Sequence, residues 1–453
     1  MHLTWLWISA ADLRTELAQA KEEGKAVSPD LERRFTDLAA RGDEYLRTPA
    51  GQREAEALLD ESAALPQAPG YAYQEPSDLE GIRAARPAIP ALPAPDLAPD
   101  LLLDRLHGAW LGRAYGCYLG KPVEGVSRQP GEVFILEGFL KETGQWPLAG
   151  YFSLAHPEAR ARHGLAGRNE SWGEGPQFMP EDDDTNYTTV GLAVMERHGR
   201  DFTPHHVADF WLANIPLSHT CTAERVAYRN FCLNLAPPES ATWRNPYREW
   251  IGAQIRADMF GYAAPGDPER AAEYAWRDAC ISHVKNGIYG EMWVAAMLAA
   301  AYVTDDVPAV IRAGLAQVPA RCRLAEAVTE VLDWHARGQD FTQANLALHA
   351  RWDERNSHHW CHTISNAQIC TAALLWGEGD YAQSISLAVL PGLDTDCNGA
   401  TVGSIVGMML GARRLPQVLV GRLHDRIHTG VQGYLDCSIS GMAARMAQVA
   451  RGG

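Results

Sequence analysis

The chain has 453 residues, 46% of them hydrophobic, enough for one large domain with an extension or for two domains. Forty Lys and Arg against 56 Asp and Glu leave a formal net charge of −16, which argues against nucleic-acid or membrane partners, since both recruit basic residues to phosphates. Nine scattered cysteines, odd in number and without a Cys-x-x-Cys pair, fit neither a disulfide framework nor a structural zinc site.

The opening Met-His-Leu-Thr-Trp-Leu-Trp carries no cationic leader or long apolar run, so a cytoplasmic location is expected. Over residues 10–65, Leu13, Leu17 and Ala20 recur at three to four positions among charged residues, as in an amphipathic helix. Trp5 and Trp7 are expected to be buried. Pro87, Pro90, Pro93 and Pro95 then interrupt any helix, which puts a boundary near residue 97. Residues 1–97 are read as a helical extension and proline-rich linker, and 98–453 as the main domain. The extension shows no recognisable chemistry and is read as a packing or oligomerising appendage.

Gly108, Gly112, Gly116 and Gly120 form one stripe on a helix, and Gly399, Gly403, Gly407 and Gly411 form another. Interior glycine costs roughly 0.8–1 kcal/mol relative to alanine, so both stripes need a reason, and close backbone approach is the obvious one. A membrane fails as that reason. Arg113 interrupts the first run, and the second reaches Arg413 and Arg414 well before the roughly 20 residues needed to span. The two helices are expected to touch. If they run antiparallel, Glu124, just past the first, lies beside Asp394 and Asp396, just before the second.

Asp182, Asp183 and Asp184 precede a helix read over Tyr187 to Arg197 and closed by Gly199. Asp at such a position also caps backbone N–H groups. From residue 270 onward the periodic segments are helical: Ala271 to Ala279, Met292 to Tyr302, Pro308 to Leu315, Arg323 to Arg337, Ala367 to Leu375, Tyr381 to Leu390 and Ala400 to Ala412. Few runs alternate as strands, so the fold class is all-α. His283 with Asn286, and His362 with Asn366, pair an imidazole with a carboxamide near a helix start. Such groups can bind sugar hydroxyls or purine edges, or tie loops to helix ends. His358 and His362 stand four apart like zinc ligands, but the Glu of His-Glu-x-x-His is missing and no zinc site is read there.

Two carboxylate clusters gathered by folding repel each other and need a cation. Hard divalent ions take oxygen ligands, and two clusters can hold two.

Together, Gly120 to Glu124, Asp182-Asp183-Asp184-Thr185 and Gly392-Leu393-Asp394-Thr395-Asp396-Cys397 resemble the motifs of the ADP-ribosylglycohydrolase superfamily, in the same order. The resemblance implies a single large orthogonal helical domain with a binuclear Mg²⁺ site, Mn²⁺ being possible. It implies hydrolysis at the anomeric carbon of an ADP-ribosyl group on a protein side chain or small molecule. It makes Asp183, Asp184, Asp394 and Asp396 metal ligands and puts Glu124 beside them. Two positions depart from the pattern: Asp182 stands where the family has Thr, adding a charge that can still ligate, and Cys397 replaces a metal-binding Thr with a soft sulfur that Mg²⁺ disfavours. Ile251 to Gly266 falls where the family has a glycine-bearing substrate loop, which makes Arg256 a candidate for a phosphate or for an ion pair.

Cleaving a ribosyl C1 bond builds oxocarbenium character and calls for an activated water and a proton-handling group. Asp183 or Asp396 is read as holding the water and Glu124 as handling the proton. Two alternatives stay open: a metal-dependent glycosidase acting on a simpler riboside or nucleoside-like substrate, and an inactive ligand-binding module.

Overall fold

A computed structural model describes residues 6–126, 134–165, 172–173, 177–353 and 355–452. Trp5 lies outside them.

The extension forms three main helices, Ala10–Glu22, Pro29–Ala40 and Pro49–Ala63. It does not form one continuous helix, because Ser28 and Thr48 cap new starts directly ahead of Pro29 and Pro49. Leu13, Leu31, Phe35, Leu38, Leu58 and Leu59 close a small hydrophobic core of their own, against which the half-buried Trp7 packs. The proline-rich segment carries no helix between Ala85 and Pro99 and lies against the main body, where Pro95 meets Gly266 and Arg86 reaches Glu269 and Gln317.

The rest is all-α. Among the described residues the strands are Arg426–His428 and Asp436–Ser438, a short antiparallel pair that no sequence signal announced. The helices run Asp183–His198, Pro268–Ala279, Asn286–Ala301, Val307–Leu315, Arg323–Ala336, Thr363–Gly377, Tyr381–Val389 and Thr395–Leu410, each overlapping its expected position. Asn286–Ala301 and Thr363–Gly377 begin earlier than their hydrophobic runs suggest. They are buried along almost their whole length, so polar residues at their starts lie inside the protein as well.

The two glycine helices, Pro99–Gly120 and Thr395–Leu410, form the central pair. A Cβ placed on Gly112 would lie 2.1 Å from the Gly403 carbonyl oxygen; on Gly116, 2.0 Å from that of Gly399; on Gly120, 2.2 Å from that of Thr395. The reciprocal positions are as tight, with Gly403 and Gly407 each 2.2 Å from the carbonyl of Gly112 or Gly108. The pairing is therefore antiparallel, backbone against backbone. The end of the first helix lies beside the start of the second, and Thr395 Oγ1 donates to the Gly120 carbonyl at 2.9 Å.

Among the described residues no helix is long and apolar enough to cross a membrane. All nine cysteines are free.

Candidate functional site

Three distant segments meet at the end of the glycine-helix pair. Past Gly120, the 3₁₀ turn Lys121–Val123 leads into Glu124. Asp182 is the N-cap of Asp183–His198: one of its oxygens accepts from the Asp184 N–H at 3.0 Å while the other takes the Lys121 ammonium at 2.7 Å. Capping and site formation are thus the work of one side chain. Gly392 and Leu393 both adopt positive φ, +82° and +59°, which turns the chain sharply into Asp394. For leucine this backbone is strained, at a cost of order 1–3 kcal/mol. It is held in place by the Trp360 indole N–H, which donates to the Leu393 carbonyl at 2.8 Å.

A cavity of about 480 Å³ opens between these segments. Glu124, Asp182, Asp183, Asp394, Asp396 and Cys397 line it together with Lys121, Glu181, His219, Cys221, Glu224, Ile251, Gly252, Trp360 and Cys361. Asp182, Asp394 and Asp396 are buried in its wall, and Asp183 is half-buried. Near the cavity, the donor atoms of Asp394, Asp396 and Cys397 all lie within 4.8 Å of one another, and so do those of Cys117, Asp182 and Asp184.

Crowding acts on every acid. The Asp396 carboxylate, then burial and the Asp182 carboxylate, push Glu124 up to about 9. Burial, reinforced by Asp182, raises Asp396 to about 6. Burial and neighbouring carboxylates push Asp183 and Asp394 well above the ordinary range. Burial also raises Asp184, although the Arg113 guanidinium opposes it. Burial pulls Lys121 down, but the Asp182 carboxylate outweighs it and keeps the ammonium charged. Among the described wall residues the one lysine, paired with Asp182, faces several carboxyls, so this part of the wall is poised to take up cations or protons.

A family model for ADP-ribosylglycohydrolase matches residues 98–452. The chain belongs to the ADP-ribosylglycohydrolase family. Membership of that family points to glycosidic hydrolase activity. A solved structure described as an "ADP-ribosylglycohydrolase-related protein complex" is 18% identical, with 78% of this chain and 99% of that chain covered and a TM-score of 0.47. No curated protein matches the chain.

In this member of the ADP-ribosylglycohydrolase family the expected site residues divide. Glu124, Asp182, Asp183, Asp394 and Asp396 face the common cavity. Asp184 does not line it. One of its oxygens pairs with Arg113 at 3.1 Å; the other, fully buried, has no hydrogen-bond partner among the described residues. Arg256 points away from the cavity into the core, where Asp278, Glu224 and Glu291 surround it at 2.5, 2.7 and 3.6 Å. It forms ion pairs there and does not line the cavity. Its segment does reach the site, since Ile251, Gly252 and Ile255 line the wall.

His283 is fully buried behind Glu224, 4.0 Å away, and burial keeps its ring neutral. Asn286 binds Glu75 of the extension and the Leu324 N–H. His362 is buried, its Nδ1 accepting from the Ile364 N–H at 3.1 Å. None of these three lines the cavity. Asn366 stands behind the wall as a support: its Oδ1 accepts from the Asp394 N–H and from Asn398, while its amide donates to the Trp360 and His362 carbonyls.

Sequence reasoning missed Glu224 and Arg113. Glu224 sits on the helix Thr222–Cys232 with no motif around it. Its one sequence trace is Gly252, where a Cβ would lie 2.2 Å from a Glu224 oxygen. Arg113 reads only as a charge that excludes a membrane, yet it is fully buried. It holds Asp184, Asp258 at 2.7 Å, Thr188 and the Ile255 carbonyl, joining the first acidic cluster to the 251–266 segment.

Proposed function

We propose that this protein is a metal-dependent hydrolase that cleaves the glycosidic bond at the ribosyl anomeric carbon of an ADP-ribosylated protein or small molecule. The observation that carries the reading is the convergence of Glu124, Asp182, Asp183, Asp394 and Asp396 in one cavity, in a chain of the ADP-ribosylglycohydrolase family. The residues fit divalent ions. Carboxyl oxygens dominate both donor groups, one buried Asp184 oxygen lacks a partner among the described residues, and the acids repel one another strongly enough to raise their proton affinity. Asp182, Asp183, Asp184, Asp394 and Asp396 would hold two ions, Mg²⁺ or Mn²⁺. When bound, such ions neutralise the carboxylates and polarise and orient ribose hydroxyls.

The chain's own residues account for the remaining work. Asp183 or Asp396 orients the attacking water on one face of the ribose. Glu124, whose neighbours raise its proton affinity, hands a proton to the departing group or takes one from that water. The indole of Trp360 and the side chains of Ile251 and Ile255 give the cavity an apolar flank that limits bulk water around the developing oxocarbenium. Cys397 supplies sulfur where oxygen is expected, which favours Mn²⁺ over Mg²⁺ at that position.

A second reading, hydrolysis of a simpler riboside, is favoured by one feature. Among the described wall residues the only lysine is tied to Asp182, and Arg256 is committed to the core, so a diphosphate finds few cations there. The test incubates metal-replete protein with ADP-ribosyl-arginine, ADP-ribosyl-serine and a panel of ribosides, with and without chelator, and identifies products by mass spectrometry. Chelator-sensitive release of ADP-ribose supports the first reading, and release of ribose from a riboside alone supports the second. No release from any compound would overturn both and leave a binding module.

A further inference from the structure

The first helix of the extension ends at Glu22, and three histidines surround its carboxylate. His358 Nε2 lies 3.1 Å from it, and His359 Nε2 and His362 Nε2 each lie 3.6 Å away. Two imidazoles and a carboxylate look like a cation site, and their donor atoms are close enough for one. The protons decide otherwise. His358 Nδ1 accepts from the Trp250 indole N–H at 3.0 Å, His362 Nδ1 from the Ile364 backbone N–H at 3.1 Å, and His359 Nδ1 from the Asp353 backbone N–H at 3.2 Å. Indole and backbone N–H groups only donate. Each neutral ring therefore carries its proton on Nε2, the atom turned toward Glu22. The pocket offers N–H groups and not lone pairs, so it suits an anion. Burial opposes the charge on Glu22, but the imidazoles of His358, His359 and His362 beside it outweigh burial and keep the carboxylate ionised.

The same three histidines stand behind the cavity wall. His358 and His359 belong to the short helix Ser357–Trp360, whose last residue, with Cys361, lines the site. Trp360 holds the strained Leu393 carbonyl, and Cys361 Sγ lies 3.4 Å from Asp394 Oδ2. On the other side the Ile251 N–H donates to the Cys361 carbonyl at 2.9 Å, next to Trp250, which holds His358. We propose that Glu22 is a positioning residue for the cavity: the extension brings its carboxylate within 3.1–3.6 Å of three imidazole Nε2 atoms, which fixes the Trp360–Cys361 wall and the backbone entering Asp394. Its neighbours dock in support. Asp12 meets Tyr247 and Arg225, and Glu16 and Glu23 grip Arg248 at 2.6 and 2.5 Å.

The experiment uses the full chain labelled with 5-fluorotryptophan, with the ¹⁹F resonances of Trp250 and Trp360 assigned through Trp250→Phe and Trp360→Phe. Glu22→Ala is expected to shift or broaden both resonances while that of Trp211, in the core beside Arg256, stays in place. Glu22→Gln, which keeps an acceptor oxygen but no charge, is expected to give an intermediate effect and serves if the alanine variant does not fold. Glu32→Gln, which breaks only the exposed Lys21–Glu32 pair of the extension, is expected to change neither. Unchanged Trp250 and Trp360 resonances in both Glu22 variants would overturn the proposal.

A second arm rests on the metal-binding reading above: Mn²⁺ affinity measured calorimetrically is expected to fall about tenfold in Glu22→Ala, the scale of losing a supporting contact behind metal ligands. Wild-type affinity in that variant would also overturn the positioning role. Failure of the wild type itself to bind Mn²⁺ would sink the metal reading and leave the ¹⁹F result to decide this one.

Discussion

Replacing Gly112 with alanine tests whether the central helix pair is as close as the backbone indicates. The new Cβ would start 2.1 Å from the Gly403 carbonyl oxygen, 3.0 Å from its carbon and 3.3 Å from the Gly407 Cα. An ordinary contact begins at 3.4 Å, and all three obstacles are backbone, so no rotamer change relieves them. The helices must separate by roughly 1 Å, and a gap of that size forfeits a quarter to a half of each dispersion contact along the seam. Alanine recovers about 1 kcal/mol of helix propensity, and overpacking of this kind costs about 1–3 kcal/mol before the loosened seam is added. A net loss of about 2 kcal/mol is expected from urea unfolding curves. Separation at Gly112 also reaches Gly120 and Thr395, which carry Glu124 and Asp396, so Mn²⁺ affinity should fall with stability. Gly421→Ala is the control, since a Cβ there meets only the Gln417 amide oxygen at 3.8 Å. A Gly112→Ala variant as stable as Gly421→Ala, with unchanged Mn²⁺ affinity, would refute the close-packing argument.

Asp394→Asn combined with Asp396→Asn should abolish Mg²⁺ and Mn²⁺ binding in calorimetry while leaving the far-ultraviolet helical signal intact; retained affinity would sink the site assignment. In chelator the same double variant should melt higher than wild type, because it removes buried carboxyls that repel their neighbours. The metal-free protein should lose stability as pH rises. Glu124 and Asp396 are raised to about 9 and about 6, so the folded state binds more protons than the unfolded one from about pH 4 upward. Their contribution is complete below the ordinary carboxylate range and is lost as pH climbs through the raised values; a flat melting profile between pH 5 and 9 in chelator would contradict this. Arg113→Met leaves Asp184 and Asp258 buried without their cation and should cost about 3–5 kcal/mol in urea unfolding. A loss below about 1 kcal/mol would mean that Arg113 is not their anchor.

Much of the site was legible in the chain because its determinants are local and costly. Helical glycines at every fourth position have few uses other than close approach, and clustered aspartates at helix starts have few uses other than capping and cation binding. The antiparallel guess then followed from geometry, since it is the arrangement that brings Glu124 to Asp394 and Asp396. Arg256, His283, Asn286 and His362 lie off the cavity that the acids line. An arginine, histidine or asparagine near a helix start looks the same in sequence whether it faces a ligand or a buried partner, and the choice depends on which remote residue arrives. For Arg256 those residues are Glu224, Asp278 and Glu291; for Asn286 it is Glu75, from a segment more than 200 residues earlier.

The extension marks the same division. Its helices, caps and proline stop are local properties, so composition and periodicity determined them. That Glu22 meets three histidines behind the cavity wall depends on docking across two hydrophobic cores and on which imidazole nitrogen each neighbouring N–H occupies. By itself the sequence determined the all-α class, the paired glycine helices and the acids at their ends, because each is written in spacing along one chain segment. Only the tertiary structure decided which charged residues face the cavity and which are spent holding it together, because that outcome is set by partners brought from far along the chain.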